Sequence, residues 1–409
     1  MPNKSLTRDF VRHISQRKTG DDALEEFSEI LEGGELDWKE VDLATILEHD
    51  FGPTWRNRIM SESRDVVENI ITRSTFDRMI RPIIRRGLTE NPKEAYKLSA
   101  LVPGETAGEC EDGFRDYGIF ADPQVQEVSE LEAGPLYGLT DDFMDHPRGR
   151  MIQNGVAWTQ EALCRDPNRY LQSMIPRIAD AHLQWKENEL LDYAIGYKNS
   201  YNRSGTYYNT YYSNPALTGL FSSGGPWVNA LGLNFACSAD LQTIRDTFYD
   251  MTDMVYGRPI DMDMDNLQFL TSRQKADAIR PLLLATAVEN DVTCPGDGST
   301  RKYIMTAEIA NGMPAFDVTS YQRWVDRIVL RYGTRVTAAE AREWFWVGRM
   351  NEFLGWVWQI APRVTSCPLG SDECRRRIVA LYKAESKGYA YVKDPYKGIM
   401  CVSDGSTET

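Results

Sequence analysis

The chain has four histidines, His13, His49, His146 and His182. No two stand at a metal-sharing spacing, and no H-E-x-x-H motif occurs. A lone histidine such as His182 on a long helix reads as a packing or surface residue. The run Asp261-Met262-Asp263-Met264-Asp265-Asn266 opens like a calcium loop. Its sixth position, however, is Asn266 where the sharp turn needs glycine, and its twelfth is Ser272 where a bidentate glutamate belongs. A charged turn ahead of a strand is expected there. Pro295-Gly296-Asp297-Gly298-Ser299-Thr300 is glycine-rich but lacks the G-K-[ST] of a phosphate cradle, and reads as a turn. Cys367 and Cys374 have too few partners for a zinc site, and no G-x-S-x-G elbow appears. Carboxylates are so common that any one pair says little about acid–base work. No catalytic residue, cofactor site or metal ligand is assigned.

Charge and composition exclude further classes. Sixty acidic against 46 basic side chains give a formal net charge of −14. A surface of this sign repels phosphate backbones, so recognition of nucleic acid through a basic footprint is not expected. Seven scattered cysteines suit reduced thiols rather than a disulfide framework. No apolar run approaches the roughly 20 residues of a bilayer span, and the charged start does not read as a secretory signal. No membrane partner is expected. A length of 409 residues favours two domains with extensions.

The elements that would position any site divide into unlike stretches. Residues 1–95 read as separate short helices. Leu24, Phe27 and Leu31 share one narrow face between Asp21-Asp22 and Gly33-Gly34, as in an extension that packs on something else. From Leu101 to Arg150 glycine and proline are frequent and no helical stripe develops, though short pieces such as Val125–Val128 could pair as a hairpin. This stretch holds twelve acidic and three basic residues, a net −9. A long irregular segment of this kind is often functional; it also reads as a solvated loop.

The longest helix follows. Asp166 can cap it and Pro167 suits its first position. Leu171, Met174, Ile175, Ile178, Trp185, Leu190, Leu191, Ala194 and Ile195 continue it towards Gly196, about 40 Å in all. Pro176 should kink it unless the helix begins later. Tyr197–Gly225 reads as loop. Leu241, Ile244, Phe248, Met251 and Val255 make a second helical stripe ended by Gly257. Leu267–Thr271 reads as a strand, followed by a helix capped at Ser272, as in a small α/β unit. Ala315–Val318 and Arg327–Arg331 read as extended. Trp344 and Trp346, then Trp356, Trp358 and Ile360, alternate as in strands. A short helix from Ser371 would bury Cys374, Ile378 and Leu381 and close at Gly388, leaving Tyr389–Val392 as the last strand.

Two stretches resemble the major capsid proteins of tailed bacteriophages. The first runs from Arg148 through Gly155, Trp158, Thr159 and Glu161 to Asp166 and the long helix. In that family a strand carrying a glycine leads to a Thr-x-Glu turn, an Asp and a long spine helix, and Gly155, Thr159, Glu161 and Asp166 stand at the matching places. The helix exit Leu191–Gly196 and the later Pro215–Leu220 are also similar to the family's passage out of the spine. The second stretch is the aromatic strand pair, Ala361-Pro362-Arg363-Val364-Thr365, a helix from Ser371, and Gly388–Pro395. Relatives often carry an acidic residue after the first-turn glycine, whereas Gly348 is followed here by Arg349 and Met350.

The resemblance covers roughly residues 95–400. It implies an α+β chain of the Hong Kong ninety-seven-type capsid fold, shared with encapsulin nanocompartments. The implied parts are an N-terminal helical arm (1–95), an extended β-hairpin loop (96–160), a peripheral domain with the spine helix (161–219 and 316–409) and an axial domain (220–315). The implied role is a structural one without catalysis or cofactor: self-assembly through pentamers and hexamers into an icosahedral virion capsid, in the cytoplasm of a bacterial host. Implied partners are a scaffold, a portal, a maturation protease, and packaged double-stranded DNA held without specific binding. An acidic loop, with Glu127, Glu130 and Glu132 at its centre, then needs a basic landing surface on a neighbour. Arg375, Arg376 and Arg377 form the densest candidate, and equally read as a solvated face. Some capsids of this fold are cross-linked by a loop lysine that attacks a neighbour's asparagine. This chain has no lysine between Lys97 and Lys186, so a non-covalent shell is expected. The alternatives are an encapsulin-type compartment, a ring-forming connector or tail component, or, from another class, an acidic metal-dependent enzyme.

Overall fold

The computed structural model describes residues 7–9, 11–12, 29–30, 41–73, 79–81, 83–84, 96–107, 115–117, 143–165, 167–211, 229–235, 238–252, 267–284, 289–293, 300–304, 317–366 and 378–402. Among them α1 (Leu43–Phe51), α2 (Trp55–Ser61), α3 (Arg64–Arg73) and α4 (Lys97–Leu101) precede β1 (Gly104–Thr106), β2 (Arg115–Tyr117), β3 (Phe143–Asp145) and β4 (Arg150–Thr159). Thr159 then caps α5 (Gln160–Arg165), its hydroxyl accepting from the Ala162 N–H at 3.1 Å. The longest helix, α6, spans Pro167–Ala194. Proline at its first position forfeits no hydrogen bond. Pro176 does not end it either: the 28 residues form one helix of about 42 Å. The expected cap, Asp166, lies outside the described residues.

The chain continues through β5 (Ser200–Arg203), β6 (Thr206–Asn209), β7 (Ala230–Gly232), α7 (Ser238–Asp250), β8 (Gln268–Thr271), α8 (Arg273–Leu284), β9 (Glu289–Thr293), β10 (Thr300–Ile304) and β11 (Asp317–Ser320). Then come α9 (Gln322–Tyr332), α10 (Ala338–Glu343), β12 (Phe345–Gly348), α11 (Met350–Phe353), β13 (Leu354–Ser366), β14 (Ile378–Val392) and β15 (Gly398–Val402). This is an α+β fold built on two larger sheets. One runs in the order β1-β13-β14-β4, the other β11-β8-β12-β15-β7.

In the four-stranded sheet β13 and β14 form a long antiparallel pair. β4 adds antiparallel to β14, and β1 adds parallel to β13. Helix α6 covers one face, with Trp185 edge-on to Trp356 at 5.1 Å. Alternation sorts the five-stranded sheet in the same way. Phe345, Val347, Ile399 and Cys401 face α7 and α8 residues such as Ile244, Phe248 and Ile279. Trp346, Met400 and Val402 turn to a second core shared with Trp324 and Ile328 of α9, Leu190 and Leu191 of α6, and Trp356 of the other sheet. That core joins the two sheets.

Several sequence expectations are corrected. The stretch after α6 is a hairpin, β5–β6, rather than all loop. Its two-residue turn, Ser204 (φ 49°) and Gly205 (φ 78°), has the positive φ pair that matches strand twist. Arg327–Arg331 is helical because Trp324, Val325, Ile328 and Tyr332 bury one face of α9. Ile378 and Leu381 belong to β14, where Ala380, Tyr382 and Ala384 point together to the core as alternation requires. Ser371 and Cys374 lie outside the described residues. β15, not Tyr389–Val392, is the last described strand. Helix α7 ends at Asp250, with Met251 still buried; Val255 and Gly257 are outside the described residues. The five-stranded sheet takes β7 and β8 from before residue 316 and β11, β12 and β15 from after it.

The N-terminal part and the segment that follows it are seen where they are described. The described part of residues 1–95 packs on its own chain: Leu43, Ile46, Ile59 and Ile71 close over Trp158, Leu163, Ile178 and Tyr382. At the join, the Leu43 N–H donates to Asn168 Oδ1 at 2.6 Å, and Asn168 Nδ2 donates to Asp42 Oδ1 at 2.5 Å. The expected loop 96–160 begins and ends in the body, since α4 packs on α6 and β4 belongs to the sheet. The Leu24, Phe27 and Leu31 face, Val125–Val128, the runs 261–266 and 294–299, and Pro215–Leu220 lie outside the described residues.

Candidate functional site

The second half of α6 carries His182, Lys186, Glu187 and Asp192, all buried. Each ties the helix to another element. The Glu187 carboxylate accepts from the N–H groups of Leu98 (3.0 Å) and Ser99 (2.7 Å) and from the Ser99 hydroxyl (2.7 Å), so it caps the start of α4. Lys186 Nζ donates to the carbonyls of Val102 (2.8 Å) and Ser99 (3.3 Å) at the end of α4. Burial lowers the Lys186 pKa to about 8, while the negative charge of Glu187 opposes that shift.

Further along the helix, Asp192 receives two arginines. Arg327 Nε and Nη2 donate to its oxygens at 2.7 and 2.8 Å, and Arg331 Nε and Nη2 at 3.0 and 2.6 Å. Such forks fix α9 against α6 in orientation as well as distance. The last carbonyls of α6 find buried phenols. Tyr211 donates to Tyr193 and Ala194 at 3.3 Å each, and Tyr332 donates to Ile195 at 2.8 Å. Burial raises the pKa of both phenols, which keeps them protonated and able to donate.

The acidic segment is rooted beside this helix. It leaves from β1 and returns through β3 and β4, and β1 and β4 are opposite edges of the four-stranded sheet. β2 pairs antiparallel with β3, Arg115 opposite Asp145 and Tyr117 opposite Phe143. The root packs on the sheet face away from α6: Ala107 and Met144 sit against Val357, Tyr389 and Tyr391. The buried His146 ring lies 4.1 Å from the Tyr391 ring, with Nδ1 3.0 Å from the Tyr389 hydroxyl. Between the root and the end of α6 lies a cleft of about 550 Å³, lined by Arg148, Arg150, Trp185, Glu189, Tyr193 and Lys198 among others. Arg150 lies 3.8 Å from Glu189, which also pairs with Lys198.

Of the motif residues, Gly155 sits in β4, where a Cβ would meet the Tyr382 carbonyl at 2.8 Å. Thr159 caps α5 and Glu161 pairs with Arg165 in its first turns. Glu127, Glu130, Glu132, Arg375, Arg376 and Arg377 lie outside the described residues. The buried charges of α6 were not singled out from the sequence. Their one signal is charge on a helix whose neighbouring positions, Leu190, Leu191, Ala194 and Ile195, are apolar. Among the described residues no three metal-ligating side chains gather, and no helix is long and apolar enough to cross a membrane. The arrangement matches each buried charge with a partner and serves to hold elements in place.

No protein-family model and no curated protein matches the chain. Among solved structures it is similar to the cyanophage Pam1 capsid (10% identity, 78% of this chain and 94% of that one, TM-score 0.44). It is likewise similar to the mature capsid of bacteriophage PhiM1 (10%, 74% and 85%, 0.42). A third is a virus-like particle from Pyrococcus furiosus (7%, 79% and 97%, 0.38).

Proposed function

We propose that this chain is a structural shell subunit that assembles with copies of itself into a capsid of the tailed-phage kind. The observation that carries the reading is the mounting of the acidic segment. A 28-residue helix, braced by buried charge, lies on one face of a sheet whose two edge strands bracket that segment. The order of strand, capped turn, long helix and C-terminal strand pair supports the resemblance found in the sequence. Shells close through rotational contacts between identical copies, and a projecting segment on a stiff mount supplies contact area without a pocket.

In this reading residues 1–95 brace the mount. The stretch within 96–160 that carries Glu127, Glu130 and Glu132 reaches a neighbour, with Arg375, Arg376 and Arg377 as its landing surface. Pentamers and hexamers would enclose double-stranded DNA without binding it specifically, with scaffold, portal and maturation protease as assembly partners. Expressed protein, alone or with a scaffold, should form rings or closed shells of tens of nanometres in negative-stain micrographs. Reversing the three arginines should impair assembly more than reversing Lys4, Arg8 and Arg17. A monodisperse monomer at high concentration under all these conditions overturns the proposal. An encapsulin-type shell would differ in contents, holding a cargo enzyme rather than a genome.

A further inference from the structure

The contact between α6 and the four-stranded sheet passes through one imidazole. His182 is 3% exposed, and both ring nitrogens are engaged. Nε2 lies 2.8 Å from Asn154 Oδ1 on β4, and Nδ1 lies 2.8 Å from Ser386 Oγ on β14. The carbonyl oxygen of Asn154 can only accept, so this network assigns the proton to Nε2 and leaves Nδ1 to accept from the Ser386 hydroxyl. The neutral ring thus satisfies both strands at once. We propose that His182 makes the seam between α6 and the strands β4 and β14 acid-sensitive, loosening the strand on which the acidic segment returns when the ring takes up a second proton.

The surroundings give the direction. On α6 itself, Lys186 stands one turn away on the same side, is also buried, and is already a cation near neutral pH. On β14, Ser386 and the Ala384 backbone face the ring, while strand alternation turns Lys383, Glu385 and Lys387 to the other face. Glu385 is occupied there by Arg363 at 2.7 Å. On β4 the facing group is Asn154, which carries no charge. No carboxylate among these neighbours faces the ring to offset a new positive charge. Protonation would also oblige the Ser386 hydroxyl to turn from donor to acceptor. Burial, the larger cause, lowers the His182 pKa below its ordinary 6.5, while a hydrogen bond to the Ala384 backbone favours the protonated ring and opposes part of that shift. The sign follows: with the folded pKa below the unfolded one, the unfolded chain binds the extra proton first. Stability is intact above about pH 6.5 and falls as pH drops through that value towards the folded pKa.

The inference concerns the single chain and does not rest on shell assembly. Its test is urea unfolding of the full chain between pH 7.5 and 5, for the wild type and for His182→Gln, whose amide offers a donor and an acceptor but no titration. One proton is at issue, so the wild-type folding constant should fall by up to tenfold per pH unit more than that of the variant. Parallel profiles would overturn the proposal. If His182→Gln does not fold, the ring signals of the four histidines in the wild-type chain decide by magnetic resonance. A His182 ring still neutral at pH 6 supports the seam, and one that titrates at or above 6.5 in the folded protein removes it.

Discussion

Lys186 and Glu187 are neighbours in the chain, yet they serve opposite ends of one five-residue helix. Glu187 takes the N–H groups at the start of α4, and Lys186 donates to the carbonyls at its end, including Val102 at 2.8 Å. Each charge also has the sign that the helix dipole favours at its end. So short a helix is not stable by itself. The two side chains fix α4, and with it the point from which β1 and the acidic segment depart.

Replacing Glu187 with alanine should therefore cost about 3–5 kcal/mol, because it leaves Lys186 buried without its counter-charge and two N–H groups without an acceptor. Glu187→Gln keeps an acceptor and should cost less, about 1–3 kcal/mol. Urea unfolding measures both. A cycle that combines Glu187→Gln with Ser99→Ala should show coupling rather than additivity, since the two side chains share a 2.7 Å hydrogen bond.

The ease of reading differed with the range of the forces involved. Pro167 and the stripe through Ile178, Leu190 and Ile195 announce α6, because helix start and apolar period are local signals. Trp356 and Trp358 announce β13 for the same reason. Ile378 and Leu381 misled because their three-residue spacing fits a helix, while the alternation that governs β14 is carried by two alanines, Ala380 and Ala384, and by the polar-tipped Tyr382, which give little apolar contrast. The pairing of β12 with both β8 and β15 joins residues far apart in sequence. No local pattern records such a choice. Glu187 and Asp192 were hidden for a related reason: a buried charge is recognised by its partners, and Ser99, Arg327 and Arg331 are distant in the chain.

Gly348 makes a second prediction. Its φ is +153°, and a Cβ there would meet the Lys397 carbonyl oxygen at 2.1 Å and the Gly398 Cα at 2.7 Å. Both contacts are backbone, at the end of the ladder between β12 and β15 and in the turn that leads into β15, so neither can swing away. Gly348→Ala should cost about 1–3 kcal/mol from backbone strain alone, with the overlap adding to it. Thermal unfolding should show a clear drop in Tm, larger than for Gly205→Ala. The latter also has positive φ but nothing within 4 Å of its added methyl.

The last prediction concerns covalent locking. A lysine that attacks a neighbour's amide must present an uncharged amine beside that amide, with a carboxylate to take its proton. Between Lys97 and Lys186 the chain has no lysine, and arginine cannot serve because it stays protonated. Lys97 opens α4 at the foot of the segment. Lys186 has a pKa lowered to about 8, which would suit a nucleophile. Its Nζ is nonetheless buried and committed to the Ser99 and Val102 carbonyls within its own chain. The segment between them therefore carries no such amine of its own. Assembled particles boiled in detergent should therefore release single chains at the 46.6 kDa of the sequence. The check is a denaturing gel under reducing conditions. A ladder of multimers that survives it would require a nucleophile elsewhere, and would mean that residues 96–160 are not the segment that reaches the neighbour.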